Sequence, residues 1–320
     1  MKQLIRKALA VGAVALCAAT AFAQYPNRPI TLIVPWGAGG GTDYHARTIA
    51  SLLEKELKQP VTVVNRTGGS GVVGHSAIAE AAPDGYTIGT VTVEINMMHW
   101  MGLTKLTQAD YTPIGLLNYV PAGVEVASDS KYKTLKDLLD DARANPGKLK
   151  ASGTGQGGIW HLALAGMLMK TGMKADQIGW IPSDGAASGL KELVAGSIQV
   201  STVAPAEAST LLKSGKVRLL ATMTPQRMAA FPDAPTLKEL GIDWELQSFL
   251  SLMGPKGMPK EAVATLEAAM KKIQASPEWK TALDARGFGV NTLSAADLGK
   301  FAAKSDQDLG AVMKAIGIAK

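Results

Sequence analysis

What this chain lacks narrows its chemistry before any motif is considered. Cysteine occurs once in 320 residues, at Cys17, inside a segment that reads as a removable leader. The mature chain therefore has neither a disulfide framework nor a thiol nucleophile. Histidine occurs four times, at His45, His75, His99 and His161, with no pair at metal-ligand spacing. There is no H-E-x-x-H, no paired cysteine and no carboxylate cluster in the sequence, so neither a metal nor a cofactor is expected. No G-x-S-x-G elbow is present, and neither Ser152 nor Ser183 has a base partner evident in the sequence, which leaves nucleophilic catalysis without visible machinery. Beyond the leader no stretch approaches the roughly 20 apolar residues of a membrane-spanning helix. Lysine and arginine are scattered rather than clustered, so nucleic-acid binding lacks an electrostatic basis.

The first residues set the compartment. Lys2, Arg6 and Lys7 precede an apolar core from Ala8 to Ala19, and Ala21-Phe22-Ala23 supplies a small-residue cleavage pattern. Residues 1–23 read as a secretory signal peptide, with Gln24 as the mature start. The bulky Leu16 immediately before Cys17 argues against lipid attachment there. Losing the leader lowers the formal charge from +6 to +3, and the remainder is long enough for two α/β lobes, each with its own core.

Short apolar runs then alternate with helical patterns, which predicts parallel sheets covered by helices. The expected strands are 30–34, 61–64, 87–91, 123–126, 149–152, 179–181, 198–203, 217–222 and 249–253. Thr134 is placed to cap a helix that stops at Pro146-Gly147, Pro205 and Pro235 occupy first-turn positions, and Ser294 starts a last helix. Two segments look like lobe boundaries, one around Pro121 and one between Trp244 and Phe249. If the chain crosses at both, residues 24–122 and 248–320 form lobe I and 123–247 form lobe II, with a ligand cleft between them.

The most informative stretch is Trp36-Gly37-Ala38-Gly39-Gly40-Gly41-Thr42-Asp43. It ends one apolar strand and opens a helical pattern, so it presents backbone N–H groups at a helix N-terminus, where the macrodipole favours an anion. Ser152-Gly153-Thr154-Gly155 begins a second such turn, with Trp160 and His161 just beyond it. Gly69 to Gly74 and Gly153 to Gly158 both match G-x-G-x-x-G, but with 34 glycines in the chain this match is weak, and export speaks against a nicotinamide cofactor. The glycines either make tight turns only or form a clamp for a carboxylate, one loop per lobe, at the C-terminal ends of parallel strands. Asp43 suits capping of its own loop better than ligand contact. His161 can donate to a ligand or simply pack, and Trp36 and Trp160 are either core or apolar pocket walls. Asp184, in Pro182-Ser183-Asp184-Gly185, and Ala204, in Ala204-Pro205-Ala206-Glu207, open further segments that can line the cleft, as can Val91 at the end of its strand.

Taken together, these motifs resemble the Bug-type, or TctC-like, solute receptors of tripartite tricarboxylate transporters. The resemblance is carried by Tyr25-Pro26-Asn27-Arg28-Pro29, Val34-Pro35-Trp36 leading into Gly39-Gly40-Gly41-Thr42-Asp43, Val63-Val64-Asn65-Arg66, Pro83-Asp84-Gly85-Tyr86, Gly153-Thr154-Gly155, Phe231-Pro232-Asp233-Ala234-Pro235 and Gly254-Pro255-Lys256-Gly257. It implies a type II-like periplasmic binding protein, a monomer that closes on a small organic carboxylate and presents it to the membrane subunits of a transporter. The carboxylate is expected to meet the N–H groups of Ala38 to Thr42 and of Gly153 to Gly155. Ser183-Asp184-Gly185 and Val203-Ala204-Pro205 depart from the usual family pattern, which leaves the identity of the acid open. The rival readings are an exported enzyme acting on an organic acid and a ligand-sensing subunit for a signalling partner.

Overall fold

The structure, a computed structural model, describes residues 25–320, so the expected leader and the Cys17 argument lie outside the described residues. Ten strands form: β1 (Ile30–Val34), β2 (Val61–Asn65), β3 (Thr87–Thr92), β4 (Tyr111–Pro121), β5 (Gly123–Ala127), β6 (Lys150–Ser152), β7 (Gly179–Trp180), β8 (Val200–Ser201), β9 (Val217–Thr222) and β10 (Gln247–Pro255). They make two five-stranded sheets, ordered β2-β1-β3-β10-β4 and β7-β6-β8-β5-β9. The chain passes from the first sheet to the second between Pro121 and Gly123, and returns between Thr222 and Gln247.

Neither sheet is purely parallel, which corrects the sequence expectation. β1 pairs parallel with β2 and β3, but β10 runs antiparallel to β3 and β4; β6 pairs parallel with β7 and β8, but β5 runs antiparallel to β8 and β9. The strands on either side of each crossing are the antiparallel ones, because a chain that leaves one sheet and later returns has no helical crossover to reverse it. The nine expected strands are present, and β4 is a tenth. Its sequence, Tyr-Thr-Pro-Ile-Gly-Leu-Leu-Asn-Tyr-Val-Pro, carries two prolines and a glycine that disguise it.

The helices are α1 (Gly41–Leu57), α2 (Val72–Ala79), α3 (Ile95–Met98), α4 (Leu135–Ala144), α5 (Ile159–Lys170), α6 (Ala186–Val194), α7 (Ser209–Lys213), α8 (Lys260–Gln274), α9 (Pro277–Arg286) and α10 (Ala295–Ala315). Thr134 and Asp137 close a reciprocal capping box on α4, which buries Leu135, Leu138, Leu139 and Ala142 on one face. Ser294 caps α10 through the Asp297 N–H. Pro235 does not open a helix: Thr236 and Glu239 exchange backbone and side-chain bonds as a cap would, but Gly241, at φ 78°, ends the turn at once.

α8 packs on α1 and β4, and α10 packs on α3 and β4, so the last sixty or so residues belong structurally with the first sheet. Behind the second glycine loop, α5 is buried from Ile159 through Leu168. A helix buried all round is anchored by every face, so the loop that opens it has a rigid backing.

Candidate functional site

The first glycine loop leaves β1 and enters α1, as its composition requires. Gly39 takes φ 85°, a left-handed turn that reverses the chain, and its N–H donates to Asp43 Oδ2 at 2.9 Å. Asp43 also accepts from Arg47 Nε and from Asn65 Nδ2 at 2.9 Å, and Asn65 in turn donates to the Trp36 carbonyl. Burial alone would raise the Asp43 pKa, but the bonds from Arg47, Gly39 and Asn65 outweigh it and hold the carboxyl below its usual value. Asp43 is therefore the internal brace of the loop. Asp43→Ala should cost about 2 kcal/mol, because three donors lose one acceptor; a urea unfolding midpoint unchanged from the natural protein would contradict this role.

The second loop leaves β6 and enters α5. Its Gly155 meets the other sheet's side of the molecule at close range: a Cβ there would lie 2.5 Å from Ser70 Oγ and 2.7 Å from Ser70 Cα. The Gly69–Gly71 turn, followed by α2, thus sits against the second loop, and only a glycine admits that approach. Gly37 N–H donates across the same gap to the Asp184 carbonyl at 2.9 Å.

Between the loops lies one cavity, with about 30 Å³ of space for the centre of a water molecule. Trp36, Gly40, Gly41 and Thr42 line it from the first loop; Thr154, Ile159 and Trp160 line it from the second; Gly185 and Ala186 close a third side. Thr154 is 5% exposed and its Oγ1 has no hydrogen-bond partner among the described residues. A cavity this small means the two sheets stand close together, so a larger guest requires them to part.

Two carboxyl groups occupy the helix starts where an anion was expected. Glu207, from the segment after β8, accepts from Gly41 N–H at 3.0 Å, at the beginning of α1. Glu94, from the segment after β3, accepts from Ile159 N–H at 3.4 Å, at the beginning of α5. Each sheet thus sends a carboxyl to the helix N-terminus of the other. Glu94 is buried, which raises its pKa against the bonds it accepts from Thr92 and Ile159. Glu207 keeps some solvent contact as a residue, but its carboxyl lies deep among protein atoms; burial, aided by the charge of Glu94, pushes its pKa up to about 7. Behind it, Glu125 is fully buried, and burial followed by the Glu207 charge outweighs the neighbouring Ser201 hydroxyl and pushes it well above the usual carboxylate range. Among the described residues, no lysine, arginine or histidine lines the cavity.

The remaining expected residues lie near this cavity but outside its lining. Ala38 and Gly39 face solvent. Val91 is fully buried in β3, one residue before the strand ends at Thr92 and three before Glu94. Ser152 and Gly153 are buried beneath the second loop, and Ala204 is buried with its N–H 3.3 Å from Glu207 Oε2. His161 turns away: its Nδ1 accepts from Gly157 N–H at 3.0 Å and its ring stacks on Trp180. The Asp184 side chain is exposed, and that residue reaches the gap through its carbonyl. Glu207 lines the cavity from the 204–207 segment expected at the cleft, and Thr92, Glu94, Ile159, Ser248 and Phe288 line it from positions that no motif marks. Glu94 carried a usable signal, a lone charge within the apolar run Val91 to Met98, and Phe288 carried none, since it arrives from the far end of the chain.

Comparison with known proteins matches residues 45–318 to the tripartite tricarboxylate transporter family receptor. The chain is 33% identical over 322 residues to a UPF0065 protein in the gbd 5' region of Cupriavidus necator, covering 98% of this chain and 96% of that one. Among solved structures, it is similar to a TctC solute binding protein from Polaromonas with no ligand, at 36% identity, 91% and 99% coverage and a TM-score of 0.65. It is also similar to Rpa4515 of R. palustris with adipate, at 28% identity, 92% and 99% coverage and a TM-score of 0.87. A match that begins inside α1 and runs past the end of α10, with a relative covering nearly the whole sequence, places the chain in the tripartite tricarboxylate transporter receptor family of TctC-like and Bug-type solute-binding proteins.

Proposed function

We propose that this chain is an exported periplasmic receptor, a monomer that captures a small organic carboxylate in the cleft between lobe I (24–122 and 248–320) and lobe II (123–247) and delivers it to the membrane subunits of a tripartite transporter. The observation that carries this reading is the convergence of two glycine loops, one after β1 and one after β6, on a single cavity. The carboxylate is held by the turn Gly40 to Thr42 on one side and by the Thr154 hydroxyl on the other, with Trp36 and Trp160 as walls. The adipate of Rpa4515 belongs to the same chemical class. Binding chemistry suffices: the buried acids cap helices, and His161 points away from the cavity.

The mechanism is a closure of two lobes about the two crossings. A ligand that touches both loops has contacts in the closed form that the open form lacks, and that difference in affinity is what shifts the population. Thermal-shift measurements against a panel of organic acids, run beside a turnover assay on the same acids, test the reading. At a hundredfold excess over Kd a true ligand should stabilise the protein by about 2.7 kcal/mol with no product formed. Product formation would favour an exported enzyme, and absence of any shift would contradict a carboxylate receptor. Trp160→Ala should reorder the acids rather than weaken all of them equally.

A further inference from the structure

The ionisable groups lining the cavity are all carboxyls. Among the described residues its ionisable lining side chains are Glu94 and Glu207, and the donors that open α1 and α5 are already engaged by them, at 3.0 Å from Gly41 and 3.4 Å from Ile159. The nearby guanidinium of Arg286 stacks over the Tyr44 ring, 4.0 Å from its centroid, and does not line the cavity. What remains for an anion is the Thr42 turn and the unpartnered Thr154 Oγ1: enough for one carboxylate. A second carboxylate on the same ligand would meet these carboxyls with no cation in the lining, Arg286 being only the weakest influence on a Glu207 carboxyl that burial and Glu94 push up. A cationic nitrogen would favour the charged forms of the two acids that burial otherwise holds back, and would meet the aromatic side chains of Trp36, Trp160 and Phe288, all at least nine-tenths buried. Acid oxygens beside aromatic rings, in a site with little water, are the surroundings that favour ammonium and quaternary ammonium groups.

Resting on the reading of this cleft as a carboxylate receptor, we infer that Glu94 and Glu207 are specificity-determining residues that select a zwitterion, one carboxylate with an ammonium or alkylated ammonium group, and reject di- and tricarboxylates. The two glutamates keep their bonds to Gly41 and Ile159 and face the nitrogen with their remaining lone pairs, while the carboxylate takes the Thr42 and Thr154 side.

Isothermal titration with 4-aminobutyrate, 4-(trimethylammonio)butyrate, butyrate, succinate and citrate tests this on the full mature protein. The zwitterions should bind at least about tenfold more tightly than butyrate, succinate or citrate. The E94Q/E207Q double variant, with folding checked by circular dichroism, should lose that preference and gain affinity for succinate. Succinate or citrate binding the natural protein as tightly as the zwitterions would overturn the inference and leave the receptor reading standing, and this ranking needs no variant to fold. A double variant that folds and keeps the natural ranking would also overturn it. No binding by any of the five, and none by the wider acid panel, would overturn the receptor reading and this inference with it.

Discussion

Glu207→Gln should gain about 3 kcal/mol on the natural protein between pH 4.5 and pH 8. The Glu207 carboxyl is raised from 4.5 to about 7 in the folded chain. The folded state therefore holds this proton more tightly than the unfolded state does, and the stability associated with it is present below pH 4.5 and lost as pH rises through 7. Glutamine has no such proton to lose. Glu94 and Glu125 are shifted in the same direction. Buried histidines act oppositely. His45, His75 and His161 are each lowered from 6.5 to about 4, chiefly by burial, so the stability they hold is present above pH 6.5 and lost as pH falls through 4. The bonding pattern explains why they stay neutral: in His75, Nδ1 donates to the Gly71 carbonyl and Nε2 accepts from Thr92 N–H. The two sets offset one another across the same window, so the natural protein should show a shallow pH profile. Removing Glu207 from the acid side should steepen it by close to one proton, which is about 1.4 kcal/mol per pH unit. Urea midpoints measured from pH 4.5 to 8 read this directly; parallel profiles for variant and natural protein would show that the carboxyl titrates normally.

A second large effect is expected at Gly74. A Cβ on this α2 residue would lie 2.4 Å from Pro35 Cα and 2.6 Å from the Arg66 carbonyl oxygen. Both are backbone atoms, which cannot rotate aside as a side chain can. Gly74→Val should therefore cost about 3 kcal/mol or more and push Pro35, the residue before Trp36, out of position, so ligand affinity should fall along with stability. Gly299→Ala is the contrast: it sits within α10, its nearest neighbour is 3.9 Å away at Pro113 Cγ, and it should raise stability by up to about 1 kcal/mol through helix propensity. Equal losses for the two variants would mean that close packing at Gly74 is not what fixes the first loop.

Much of this architecture is legible in the sequence, for identifiable reasons. β1 is a run of five β-branched or leucine residues, nearly all buried, and such a run bounded by a glycine turn has few alternatives to a central parallel strand. The glycine loops were legible because strand, turn and helix start are all local. β4 was not, since its prolines and glycine are tolerated because it is an edge strand, irregularly paired to β10, a partner more than a hundred residues away. The same distance hid the acids of the cavity. Glu207 comes to Gly41 across 166 positions and Glu94 to Ile159 across 65, and nothing in either neighbourhood announces that a carboxyl will cap a helix on the opposite sheet. Local sequence marked where an anion is favoured, and the fold filled the helix starts with the chain's own side chains.

The most direct measurement is a crystal structure of the protein with an acid selected by the thermal-shift panel. The account expects one carboxylate of that ligand within about 3 Å of both the Gly40 to Thr42 turn and the Thr154 hydroxyl, so that the ligand touches both sheets' loops at once. A ligand held by the loops of one sheet alone, or lying outside the cavity walled by Trp36 and Trp160, would contradict it.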